Sequence, residues 1–205
     1  IGGISMNDQS STLKIKRYSR NLRIAMTIFF WVAILATIVS SIATIIMASL
    51  SDSHFVLNST SIGHAGFSLD GLIKYQLNDT SLIGTNMKSI YIAISIMAAV
   101  ISFFAIPVLR QFVLILKSVE DDKPFAKENA KRISAISSTL ILSSFAIPAT
   151  KAFVARALVD ILKIQNVSIN YSINITLLLT GFMMFILSGV FRYGCYLQQE
   201  YDETV

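Results

Sequence analysis

Residues 24–51 carry no charged side chain, and three further uncharged runs follow at 89–109, 133–150 and 164–191. At about 1.5 Å per helical residue, the first run exceeds the ~30 Å hydrocarbon thickness of a bilayer. An amphipathic helix on a soluble core shows water a polar face on every turn, so it does not leave charge out for so long. The balance of the 205 residues agrees: 54% are hydrophobic and 14% charged, a skew that argues against a soluble enzyme. The expected fold class is therefore an all-α membrane protein, four transmembrane helices in a bundle.

The boundaries follow from where charge and turn residues return. Residues 1–5, before Met6, read as a tag remnant, and 6–21 as a polar, basic N-terminal segment. The spans are expected at 22–50, 88–116, 129–162 and 173–196. Between them lie a first loop at 51–87, a connector at 117–128 and a second loop at 163–172, with a tail at 197–205. The third span is expected to end in an amphipathic extension, because Phe153, Val154, Ala157, Leu158, Ile161 and Leu162 recur at helical spacing. Pro107 and Pro148 fall near the far ends of their spans, where a missing N–H and a ring clash kink or interrupt a helix.

Lys and Arg set the expected orientation. Twelve fall on the side of the N-terminal segment, the connector and the tail, against Lys74, Lys88, Lys151, Arg156 and Lys163 on the other. That places both termini and the connector in the cytoplasm, and makes the net charge of +5 largely a topology signal with affinity for anionic lipid. Direct nucleic-acid binding is not expected, because the basic N-terminal stretch is too short to form a recognition module.

The first loop is too long for a simple turn. Phe67, Leu69, Ile73, Tyr75 and Leu77 alternate with polar residues around Asp70-Gly71, a β-hairpin signal because Asp-Gly tolerates positive φ. A small hairpin is expected there, on the extracellular side. His54 and His64 lie near Asp52 and Asp70 without any metal-ligand spacing, so no metal and no cofactor are implied. Asn58, Asn78, Asn166, Asn170 and Asn174 each open an Asn-x-Ser/Thr triplet, a pattern that Asn- and Ser-rich loops generate readily.

Two groups of residues are candidate sites. Lys151, Arg156, Asp160 and Lys163 form a candidate outer ligand rim, with Arg156 and Asp160 spaced four apart. Lys123, Pro124, Phe125, Glu128, Asn129 and Arg132, with Glu200 and Asp202 of the tail, form a candidate surface for a cytoplasmic partner. In the connector, Asp121 or Asp122 is expected to cap a helix, Pro124 to sit in its first turn, and Glu128 to pair with Arg132. No Asp, Glu or His lies in the middle of a span, which removes the usual carriers of a proton relay. Cys195, the one cysteine, has neither a neighbouring His nor a second thiol, and reads as a packed side chain. No catalytic residues are assigned.

The segments Pro124-Phe125, Glu128-Asn129 and Arg132, then Leu197-Gln198, Glu200, Asp202 and Thr204-Val205, resemble the motifs of a bacterial family of four-span membrane proteins known as domain of unknown function 2975. The chain departs from the pattern at Ala126, where a hydroxyl cap is common, and at Tyr201 and Glu203. The resemblance implies a bacterial cytoplasmic (inner) membrane and association with a small helix-turn-helix regulator; it implies no catalytic residues.

Three functions stand open at this point. One is a non-enzymatic regulatory or sensory protein that signals from its outer loop to a cytoplasmic partner such as a transcription regulator. Another is an immunity protein that meets an extracellular antimicrobial peptide at the outer rim. The third is a small homo-oligomeric channel or transporter lined by Ser40, Ser41, Ser134, Ser137, Ser138, Ser143 and Ser144. For those serines, close helix packing is the commoner role.

Overall fold

A computed structural model of the chain describes residues 6–56, 66–69, 73–76, 84–163 and 168–204. Four long helices dominate: α1 (Met6–Ser49), α2 (Lys88–Glu120), α3 (Lys127–Leu162) and α4 (Ile175–Thr204). All four are long and apolar enough to cross a membrane. A 3₁₀ turn, η1 (Asp52–Phe55), follows α1, and strands β1 (Gly66–Leu69) and β2 (Ile73–Gln76) pair antiparallel in the register Gly66 with Gln76 to Leu69 with Ile73. Asp70-Gly71, expected at the turn between them, lies outside the described residues.

Apolar side chains face outward along the helices. On α1, Trp31, Leu35 and Ile45 are each more than three-fifths exposed, and Met183 and Ile186 of α4 are alike. In water such continuous stripes drive aggregation, whereas in hydrocarbon they cost nothing. With no hydrophobic drive between helices inside lipid, packing has to come from close approach and hydrogen bonding, and small residues supply both.

The residues fall into two compact units. The first comprises Ile1–Leu35, Ile101–Phe145 and Ile173–Val205. There α3 meets α4 through small side chains. Ser137 Oγ donates to the Gly181 carbonyl and Ser188 Oγ to the Ala130 carbonyl, each at 2.8 Å. A Cβ on Gly181 would come within 2.7 Å of Ile141 Cγ1, so glycine is what permits this approach. α1 joins the same unit through two ion pairs, Arg23 to Glu120 at 2.9 Å and Lys16 to Asp122.

The second unit comprises Ala36–Val100 and Ala146–Ser172. Its small core is Ile90, Ala93 and Ala157, with Met87, Val154, Leu158 and Ile161 packed on it. Four of the six residues that the helical spacing selected in the extension of α3 are thus in contact with α2 or beside it, while Phe153 is exposed. Ser95 Oγ donates to the Ser40 carbonyl at 2.8 Å and lies 2.9 Å from Thr44 Oγ1, linking α1 to α2.

Neither proline interrupts its helix: α2 runs on past Pro107, and α3 past Pro148. The missing N–H of Pro148 leaves the Ser144 carbonyl without its helical donor. The backbone N–H of Asn174 takes that place at 3.0 Å. Asn174 then caps α4, its side-chain oxygen accepting from Leu177 N–H at 3.0 Å. One of the five glycosylation-like triplets is therefore a helix start. Asn170 is exposed, and Asn58, Asn78 and Asn166 lie outside the described residues.

Candidate functional site

The α2–α3 turn is built from the end of α2 outward. Asp122 adopts a left-handed conformation with φ 59°, Lys123 N–H bonds to the Ser118 carbonyl at 2.8 Å, and Asp122 N–H bonds to the Val119 carbonyl at 3.3 Å. This pairing closes the carbonyl end of a helix, so Asp122 terminates α2 rather than capping α3. Pro124 correspondingly sits in the turn, and α3 begins only at Lys127. Ala126 precedes it, where a hydroxyl or carboxamide would ordinarily cap.

Asn129 takes over the task of fixing the turn. Its side chain is fully buried, and its amide nitrogen donates to Ser118 Oγ and, at 2.9 Å, to the Pro124 carbonyl. Its oxygen accepts from Arg132 Nη1 at 2.8 Å, and the same nitrogen reaches the Leu114 carbonyl at 3.0 Å. Arg132 thus bends toward α2, and among the described residues no ion pair joins it to Glu128. The i,i+4 spacing allowed that pair; a buried carboxamide and a carbonyl of α2 hold the guanidinium instead.

Of the candidate partner surface, then, Asn129 belongs to the interior and Arg132 is half-buried. Lys123, Pro124, Glu128 and Glu200 are exposed, and Phe125 is 51% exposed. Asp202 is on α4, its side chain outside the described residues. Cys195 of α4 is buried, and its thiol donates to the Phe125 carbonyl at 2.8 Å; the Phe125 and Phe191 rings lie 5.8 Å apart. Together these contacts tie the turn to α4. A cavity of about 450 Å³ opens between the turn and residues Cys195, Gln198 and Gln199.

The outer rim is gathered less completely. Arg156 and Asp160 are exposed, as is Lys163, which follows the helix with φ 49°. On the helical wheel Arg156 falls opposite the stripe of Val154, Ala157, Leu158 and Ile161 and Asp160 to its side, whereas half-buried Lys151 falls nearer that stripe. Among the described residues no ion pair joins Arg156 to Asp160.

Lys88 was not among the sequence candidates, yet its ammonium reaches the Leu50 carbonyl at 2.7 Å and Asp52 at 3.0 Å, closing the end of α1. Gly181 and Ser188 were not among them either. Their one signal was a small residue inside a dense apolar run. Six of the seven serines suggested as a conduit donate to carbonyls: Ser40, Ser41, Ser138, Ser143 and Ser144 to their own helix, and Ser137 to α4.

Long apolar helices with exposed apolar flanks and charged ends define a multi-pass α-helical membrane protein. The chain belongs to the family described as "Protein of unknown function (DUF2975)", whose model matches residues 74–205. No curated protein and no solved structure matches it. The matched stretch contains the whole Asn129 network, Cys195 and the cavity they border.

Proposed function

We propose that the protein is a non-enzymatic regulatory or sensory protein of the bacterial cytoplasmic membrane. In this reading both termini and the α2–α3 turn are cytoplasmic, as the Lys/Arg distribution favours. The loop carrying β1 and β2 faces outward and receives the signal. The turn and the end of α4 engage a cytoplasmic partner such as a helix-turn-helix regulator.

The observation that carries the proposal is the turn itself. A buried carboxamide, a half-buried guanidinium and a thiol bond fix its backbone, while Lys123, Glu128 and Glu200 remain exposed around it. A surface held this firmly suits recognition, because little ordering entropy is lost when a partner docks. The test is photo-crosslinking from position 128 or 200 in native membranes. The expected product is a covalent adduct with a DNA-binding regulator, lost on charge reversal at Lys123. Adducts with the protein itself or with lipid alone overturn the proposal.

The exposed grouping of Arg156, Asp160 and Lys163 favours a second reading, immunity to an antimicrobial peptide met at that rim. Expression in a peptide-sensitive strain is expected to raise survival, and R156A/K163A to abolish the gain. Equal killing with and without the protein overturns this reading.

A further inference from the structure

The cavity between the α2–α3 turn and α4 has a composition and a depth that point to a ligand of its own. Lys123, Lys127, Gln198 and Gln199 line it, with Phe125 and Cys195. Its wall holds one carboxylate, that of Asp122, which is paired with Lys16. Neither Lys123 nor Lys127 takes part in an ion pair among the described residues, so the wall is net positive. Two carboxamides beside two ammonium groups suit an acceptor-rich anion, because every one of these groups can donate.

Depth decides between a soluble anion and a lipid. The uncharged run of α4 ends at Arg192, and Cys195, Gln198 and Gln199 follow within two helical turns. On α3, Lys127 lies just over one turn before Arg132, where the next uncharged run begins. At about 1.5 Å per residue this puts the wall within ~10 Å of the hydrocarbon edge, in the headgroup layer. Tyr193 and Tyr196, 63% and 59% exposed, flank it on α4, as aromatic residues do at a membrane interface. The ring of Phe125, which lines the cavity, lies 5.8 Å from that of Phe191, the last residue of the uncharged run.

We propose that this cavity binds the anionic phosphodiester headgroup of a bilayer lipid such as phosphatidylglycerol. Lys123 and Lys127 take the phosphate charge, and Gln198 and Gln199 donate to its remaining oxygens and to the glycerol. An acidic peptide would meet the same charges, but it approaches from water and gains nothing from the interfacial depth. The site stands independently of the partner suggested above, since it needs only that these helices cross a bilayer.

Cys195 provides the readout, because the chain's one cysteine lines the wall. The full chain is placed in phosphatidylcholine nanodiscs with and without about 30% phosphatidylglycerol, and alkylation by neutral iodoacetamide is timed. If the headgroup fills the cavity, alkylation slows about fivefold or more in the anionic discs. K123Q/K127Q is expected to lose that difference, and K123R/K127R to retain it. Equal slowing in K123Q/K127Q would mean a general surface field and overturn the proposal, as would no slowing in the parent protein. Equal protection in phosphatidylcholine discs by soluble glycerol phosphate, or by an acidic peptide, overturns the lipid assignment.

Discussion

Replacing Asn129 with alanine isolates what holds the α2–α3 turn. The side chain is completely buried and makes three hydrogen bonds, two to neutral acceptors and one from a guanidinium. Each neutral bond contributes about 1 kcal/mol net and the charged one about 1.5–3, because its loss leaves a half-buried guanidinium short of a partner. Ser118 Oγ still donates to the Ile115 carbonyl at 2.9 Å, and Arg132 keeps the Leu114 carbonyl, which limits the damage. The sum is about 3–5 kcal/mol. At ~2–4 °C per kcal/mol for a chain of this size, Tm falls by about 6–20 °C. Unfolding is followed by the loss of helical circular dichroism during a thermal ramp in detergent. E128A, one residue away and exposed, is expected to shift Tm by no more than about 1–2 °C. If N129A melts with E128A, the buried network does not hold the turn and the reasoning fails.

Three further outcomes are expected in the same melting assay. G181A is destabilised by about 1–3 kcal/mol, since its Cβ would crowd Ile141 Cγ1 and the Ser137 carbonyl, whereas G189A, with nothing within 4 Å, is neutral; equal Tm values for the two would refute close α3–α4 packing at Gly181. N174A costs about 0.5–2 kcal/mol through the lost cap of α4, and N174S restores most of it; a serine variant no better than alanine would count against capping. K88M loses about 1–2 kcal/mol with the bond to the Leu50 carbonyl, while D52N, which removes only the exposed half of an ion pair, loses a few tenths. A D52N loss as large as that of K88M would show that the ion pair, not the carbonyl, matters.

What was legible in the sequence is what a solvent dictates residue by residue. Uncharged runs long enough to cross hydrocarbon mark four spans wherever they occur, since no arrangement of neighbours makes a mid-span charge cheap. The face of α3 that packs on Ile90 and Ala93 was likewise carried by period, because Val154, Ala157, Leu158 and Ile161 share one side of any helix. Pairing choices were not legible. Glu128 and Arg132 stand four apart, and spacing alone makes them partners, yet a carboxamide three residues from Arg132 and a carbonyl of the preceding helix hold the guanidinium. Asn129 looked like surface among charged neighbours, and only its position against Ser118 and Pro124 makes it interior. Asn174 matched a modification triplet by local pattern, and its role as a helix cap whose backbone completes the Ser144 carbonyl depends on a proline far away in the chain. Hydrophobicity and helical period act one residue at a time, so the order of amino acids alone determined the spans and the packed face at the end of α3. Hydrogen bonds need particular atoms about 3 Å apart, and residues distant in sequence reach that separation only once the helices have packed.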